Sequence, residues 1–533
     1  MSSGSAFLAP VWDITAPKVI DDESTDEYRE IETRSLNDPQ NDSTIVIKMD
    51  DNSSFLLMSE ARLQVDFKVS ANAVLTKADG VCIPNGWGLF SQAKCLVENT
   101  LVGDTQDPAV YHHMIASHTY SPDYAKSVAD TQFFYPIKKL DNTSNGLGAY
   151  AGLAPPAFAR AGLSGDAETL PPQKIAGLTT ANYPGVKANG DYWFPLDDPT
   201  AELQYKVVVS SYDGGAGTFT ATVAEVSSAN PVVVRKNPYY DEAYIRGVNR
   251  ILNGVGLTAG DGCLCSVSLP LREIWPILRD VYSRVSRGSR FEIELKKELS
   301  IERTFYTAKP VAGLAFTILR CSMWVPKLIP SLSSLARVEA QIASTPMLQE
   351  MYESYFLNTT RGQSSSDTTR IRMTNNNSRI TKILVAFQPD SCRTTLYRNP
   401  LQFEDLLLDN LSIKVNGITY PQENYLVNVV SGGKQGLIRM MRDVHASTGK
   451  TFAYANGSLI DFESFVQGAQ RIYMLDLQNM PQTPFRKQSI SDVEISYKLT
   501  GNPGYTYTVY GLVCSTKENK TDMLKGKTVS SQV

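Results

Sequence analysis

From Ser43 onward apolar and polar residues alternate with a period of two, in STIVIKM and then FLLMSEARLQVDFKV, where Leu63, Val65, Phe67 and Val69 share one parity. A strand turns successive side chains to opposite faces, so this alternation predicts half-buried strands. Upstream, residues 1–40 hold no sustained period, and 18–32 carries seven acidic residues against Lys18 and Arg29. That composition predicts an acidic N-terminal arm over 1–40, either solvated or docked on a neighbouring subunit.

The stretch 141–230 is rich in Gly, Ala, Pro, Ser and Asn, with strand-like LQYKVVVSSY and GTFTATVAEV inside it. It reads as a long surface insertion carrying a hairpin, within a first domain spanning 41–330. CLCSVSLPLREIWPILRDVYSRVSRGSRFEIELKKE then predicts a strand, a short helix through Ile274, Ile277, Leu278 and Val281, and a returning strand past Gly288. GLAFTILRCSMWVPKLIPSL supplies one more strand, closed by Pro326 and Pro330. Residues 331–357 read as a helical connector that Pro346 should interrupt.

Strands resume in a second domain over 358–515, in IRMTNNNSRITKILVAF, NLSIKVNGITYP and SDVEISYKLTGNPGYTYTVYGLVC. Asn416-Gly417 predicts a two-residue hairpin turn, because both positions must accept positive φ. Both halves share a grammar of short strands and polar loops, which fits sandwiches or jelly rolls. No internal repeat shows in residue identity. Residues 516–533, with four Lys against Glu518 and Asp522, read as a solvated C-terminal tail.

Length and composition sharpen this. A chain of 533 residues exceeds what one core organises, and 42% hydrophobic with 20% charged residues leaves ample material for two. The balance of 51 basic and 55 acidic residues, net −4, lacks the cationic excess needed to wrap nucleic acid through phosphates. No basic start with an apolar stretch opens the chain, and no apolar run approaches the roughly 18 residues of a bilayer span. Neither secretion nor membrane insertion is expected. The seven cysteines are odd in number and scattered, which suits reduced core thiols.

Candidate chemistry is thin. Cys263 and Cys265 would share a strand face, as a zinc half-site or as core thiols, and no matching Cys/His pair accompanies them. Gly449-Lys450-Thr451 resembles the end of a phosphate loop, but Val444 stands where its first glycine belongs. Gly254, Gly256, Gly260 and Gly262 lack a βαβ frame and read as a turn. Three of the four histidines cluster as His112, His113 and His118, yet adjacent residues diverge on any regular element, so a metal site would lack a third oriented ligand. No GxSxG elbow occurs, and among many carboxylates, Glu292 and Glu294 for example, nothing selects a catalytic pair. Asn-x-Ser/Thr triplets at Asn52, Asn358 and Asn456 are expected to stay unmodified. No catalytic residue, cofactor or metal is expected.

Several of these segments together resemble the double jelly-roll major capsid proteins of Polintons (Mavericks), adintoviruses and virophages, with adenovirus hexon a distant structural relative. The resemblance spans roughly 40–520. It rests on the opening strand pair, on SLPLREIWPILRDVYSRVSRGSRFEIELKKE, on CSMWVPKLIPS, on ITKILVAFQPD, on the Asn-Gly-x-x-Tyr-Pro core of LLLDNLSIKVNGITYPQENY, and on TYTVYGLV. It implies a mainly β chain of two consecutive eight-stranded jelly rolls with long loop insertions and a few short helices. It further implies a non-enzymatic homotrimer forming pseudo-hexameric capsomers of an icosahedral capsid around a DNA genome. Neighbouring capsomers, penton and minor capsid proteins would then be the partners and the virion the location, without sequence-specific nucleic-acid binding. The 141–230 insertion finds no counterpart and is expected on the outward surface. A β-sandwich carbohydrate-active or glycan-binding protein and a capsid spike protein are the alternatives.

Overall fold

Leu63, Val65, Phe67 and Val69 all point inward from one strand and are fully buried, with polar residues between them on the other face. Removing each such side chain from water contributes about 1.5–3 kcal/mol, and the same arithmetic repeats strand by strand. The computed structural model describes residues 27–136, 242–252, 262–477 and 493–531, short stretches within them excepted, together with strands at 174–179, 191–195, 204–213 and 218–227.

The first half comprises β1 (Glu27–Arg34), β2 (Thr44–Met49), β3 (Phe55–Leu56), β4 (Arg62–Ser70), β5 (Phe90–Val97) and β6 (Thr100–Gln106). An insertion follows with β7 (Lys174–Thr179), β8 (Asp191–Pro195), β9 (Gln204–Asp213) and β10 (Thr218–Ser227). The half closes with β11 (Cys263–Pro270), β12 (Ser286–Arg287), β13 (Phe291–Lys297) and β14 (Ala315–Ile329). Setting aside the insertion and the two-residue β3 and β12, one sheet runs β1-β14-β4-β11 and the other β2-β13-β5-β6. In strand order these are 1-8-3-6 and 2-7-4-5, the eight-stranded jelly roll.

The second half comprises β15 (Met347–Arg361), β16 (Thr369–Met373), β17 (Ile380–Pro389), β18 (Leu408–Val415), β19 (Ile418–Leu426), β20 (Ile472–Asp476), β21 (Val493–Leu499), β22 (Tyr507–Asp522) and β23 (Lys527–Ser531). Its sheets run β15-β22-β17-β20 and β16-β21-β18-β19, again 1-8-3-6 and 2-7-4-5, with β23 added beside β22. The internal repeat that residue identity conceals is therefore explicit in the strand order. In both rolls the connection from fifth to sixth strand is the long one, residues 107–262 in the first and 427–471 in the second.

Three expectations differ from what is observed. Residues 27–34 of the expected arm form β1, the first strand of the roll, paired with β14 in antiparallel register from Glu27↔Ile329 to Arg34↔Ser322. Its sequence EYREIETR shows no apolar alternation, and it is held by its backbone ladder with β14, with Glu30 beside Arg62 and Glu32 beside Arg320 on its surface. The Arg320 hydrogen bond holds the Glu32 carboxyl below its ordinary range. The connector is helical only over Leu332–Ser344; Met347–Leu357 belongs to β15, whose pairing along the whole of β22 overrides the helical propensity of its residues. Of the expected tail, 516–522 completes β22 and 527–531 forms β23.

The insertion holds a four-stranded antiparallel sheet, β7-β10-β9-β8, whose central pair β9–β10 is the hairpin its sequence suggests. Asn416 and Gly417 sit at φ 46 and 86 and turn β18 into β19, as two-residue hairpin turns require.

Candidate functional site: the junction between the rolls

Directly after β6 the chain enters helix α1 (Pro108–Thr119), with Pro108 at its first position, where a missing N–H costs nothing. Asp107 before it adopts φ 49, and its carboxylate accepts from Arg393 of the second roll, whose other contact is the Tyr510 hydroxyl at 2.9 Å. Burial works against the Arg393 charge, but Asp107 and Tyr510 outweigh it, so the guanidinium is held protonated more firmly than usual. Residues on every side of α1 are buried, as befits a helix between two packed bodies rather than on a surface.

The two adjacent histidines part company there. Asn85 Oδ1 accepts the Trp87 N–H at 3.0 Å, so its amide nitrogen faces His112 Nδ1 at 2.9 Å. That nitrogen must accept, leaving His112 Nε2–H to donate to Glu273 Oε2 at 3.0 Å. Glu273 Oε1 also accepts from Gln132 at 3.3 Å and from the Tyr124 hydroxyl at 3.4 Å. Burial pushes the Glu273 carboxyl up, yet hydrogen bonds from His112, Tyr120 and Gln132 outweigh it and hold it below the ordinary range. This network fastens α1 to its own roll.

His113 and His118 instead reach the second roll. His113 Nε2 lies 3.1 Å from Gln470 Oε1 and His118 Nε2 3.1 Å from the Ile472 carbonyl at the start of β20, while the Ile460 N–H donates to the Ser117 carbonyl at 3.3 Å. Burial pushes His113 down to about 4, against a smaller opposing effect of the Gln470 hydrogen bond. The three histidines are thus committed to separate partners, and among the described residues no group of three or more His, Cys, Asp or Glu could hold a metal ion.

Beside α1, the short helix Pro276–Asp280 leans on β15. Asp280 accepts the Glu353 backbone N–H at 3.1 Å, and Glu353 pairs with Arg279 at 3.2 Å and Lys382 at 3.1 Å. Burial raises the Glu353 carboxyl, but Lys382, Tyr355 and Arg279 together bring it below its ordinary range. Tyr111 of α1 stacks edge-on against Tyr355, ring centres 5.7 Å apart. Between β6, this short helix and β15 lies a cleft of about 460 Å³ lined by Leu101, Trp275, Tyr352, Phe356 and Lys517 among others.

Other residues singled out in the sequence fall elsewhere. Cys263 and Cys265 do share a face of β11 and both point into the core, and all seven cysteines are buried and outside any disulfide. Glu292 and Glu294 share a face of β13 and meet lysines on the flanking strands, Lys48 at 3.0 Å and Lys94 at 3.9 Å, as cross-strand pairs do. Gly262 takes φ +70 in the turn before β11. Asn358 lies in β15. Gly254, Gly256, Gly260, Gly449, Lys450, Thr451, Asn52 and Asn456 lie outside the described residues. Sequence reasoning passed over Asp107, Glu273, Glu353, Arg393 and Gln470, which belong to no motif. A signal was present for Glu273, a carboxylate inside the apolar run LPLREIWPIL.

Two jelly rolls of identical strand order in tandem define a double jelly-roll protein. No protein-family model and no curated protein sequence matches this chain. Among solved structures, the fold is similar to a chain in the cryo-EM structure of the Sputnik virophage, with a TM-score of 0.51 and 11% identity over 97% of this chain and 90% of that one. Weaker likenesses are to the Faustovirus major capsid protein (TM-score 0.49, 11% identity, 95% of this chain and 92% of that one) and to the mavirus major capsid protein (0.43, 11%, 98% and 92%). Among the described residues no helix is long and apolar enough to cross a membrane.

Proposed function

We propose that this chain is the major structural subunit of a viral capsid, a non-enzymatic protein of the virion. The observation that carries the reading is the repeated 1-8-3-6 and 2-7-4-5 strand order, one roll after the other and locked together through α1. A chain that offers two near-equivalent bodies offers two near-equivalent corners, and a homotrimer then has six, a pseudo-hexameric capsomer able to tile an icosahedral shell. The likeness to a chain of the Sputnik virophage structure supports the same reading. So does the use of the ionisable groups at the junction, where Asp107 pairs with Arg393 and Arg279 with Glu353 from one roll to the other.

In this reading neighbouring capsomers, penton and minor capsid proteins are the partners, and a DNA genome is enclosed without sequence-specific contact, in keeping with a net charge of −4. The insertion with sheet β7–β10 forms the outward face. Expression of the chain with electron microscopy of the product tests this: closed particles or hexagonally packed sheets are expected, with antibody to an epitope placed between β9 and β10 decorating their outside. Dispersed protein that never tiles, or decoration of the inner face alone, contradicts it.

A further inference from the structure

The cleft between the rolls holds unmatched chemistry. Lys517 projects from β22 opposite Tyr352, and among the described residues no carboxylate pairs with it; burial holds its ammonium below the ordinary range. The acids nearby are already answered, Glu353 by Arg279 and Lys382, and Asp104 by Gln92 at 2.8 Å and Gln106 at 3.2 Å. Trp275 in the wall is only 2% exposed, and among the described residues its indole N–H has no acceptor. At the rim, Leu101 is 50% and Phe356 46% exposed, and among the described residues β6 stands last in its sheet with no strand on its outer edge. An aromatic wall, apolar lips, a desolvated cation without an anion and an open strand edge describe a seat for an extended peptide that carries an aromatic side chain beside a carboxylate.

We propose that the occupant is this chain's own N-terminal segment, with Trp12 against the aromatic wall of the cleft and the Asp13 carboxylate on Lys517. The sequence Val11-Trp12-Asp13-Ile14 offers that pairing between apolar neighbours, and Asp21, Asp22, Glu23 and Asp26 behind it keep the approach acidic. Geometry allows it. The chain joins the fold at Glu27, paired with Ile329 just before the helix Leu332–Ser344 that leads into β15. That helix spans about 20 Å, and Tyr352 lies about 17 Å along β15 from Met347. The residues between Asp13 and Glu27 extend to about 45 Å, enough to bridge this distance or to reach a second copy. Seating the segment would cover the exposed Leu101 and Phe356, give Lys517 its counter-charge, and tie assembly to a strap that crosses from one roll to the other. The proposal does not depend on shell building, because its readout is made on the purified chain.

The test replaces Trp12 in the full-length protein by the photo-crosslinker p-benzoylphenylalanine and maps the adducts by mass spectrometry. Adducts within 101–105, 274–277 or 352–356 are expected, and the mass of the product, one chain or two, tells whether the strap stays home or crosses to a neighbour. Lys517→Glu should cut their yield by about tenfold or more, and Asp13→Lys added to that variant should restore it. Should Lys517→Glu fail to fold, Asp13→Lys alone in the parent must give the same loss. Adducts scattered over other surfaces, cleft adducts indifferent to both charge changes, or a folded second copy seated in the cleft overturn the proposal.

Discussion

The Nε2–H of His113 donates to Oε1 of Gln470 across 3.1 Å, joining two residues 357 positions apart in the chain. Both are fully or nearly fully buried, at 0% and 4% exposure, so the contact is made only when both rolls are folded and docked. Burial lowers His113 from 6.5 to about 4. The unfolded chain therefore takes up this proton near pH 6.5 and the folded chain only near pH 4. Between those values the unfolded state binds more protons, and stability falls as pH falls, by on the order of 3 kcal/mol over the window. Urea midpoints measured from pH 7.5 to 4 should show that slope, and His113→Gln, which does not titrate, should reduce it. An unchanged slope in the variant contradicts the assignment.

Glu273 accepts from His112, Gln132 and Tyr124 in a largely buried site. Removing the acceptor takes a partner from buried His112 and Gln132 and from half-buried Tyr124, so Glu273→Ala should cost about 2 kcal/mol. Glu273→Gln, which keeps one acceptor oxygen, should cost less. Chemical denaturation of both variants checks the order; an Ala variant as stable as the parent would mean that the network is idle.

At Gly417 an added Cβ would meet nothing within 4 Å, yet φ is +86. Any loss on Gly417→Ala is therefore a backbone effect alone, about 1–2 kcal/mol from a left-handed position that alanine resists. Asn416→Gly at the partner position should be tolerated. Calorimetric melting of the two variants separates this from a packing effect, which would make them alike.

All seven cysteines are buried and none is joined in a disulfide. Burial pushes the thiols of Cys95, Cys265 and Cys514 up to about 12, which leaves almost no thiolate at neutral pH. A coloured disulfide reagent should find no fast thiol in the native protein and seven after denaturation. One rapidly labelled cysteine in the native state would place that residue outside the core described here.

The strands with clean alternation were legible in the sequence because one face of each is core: Leu63 through Val69 shows it, and so does the Asn416-Gly417 turn, whose chemistry is local. β1 and the C-terminal half of β22 were not legible. Their residues alternate in charge or are simply polar, and they become strands only because β14 and β15 offer edges from far along the chain. The junction was harder still. His112 and His113 are neighbours in sequence and drew notice as a pair, but their partners Glu273 and Gln470 are 161 and 357 positions away. Long-range hydrogen bonding of single polar residues leaves no periodic trace. The tandem repeat was invisible for a related reason: strand order is conserved in space by pairing, while each pairing tolerates many side chains.

The central claim, a double jelly-roll subunit that trimerises into six-cornered capsomers, is tested most directly by the native mass and projected outline of the purified protein. Sedimentation or mass photometry should give a single species at three times the 58.7 kDa chain, and two-dimensional averages of stained particles should show a ring with six corners. A stable monomer at micromolar concentration, or an oligomer whose outline lacks six near-equivalent corners, would contradict it.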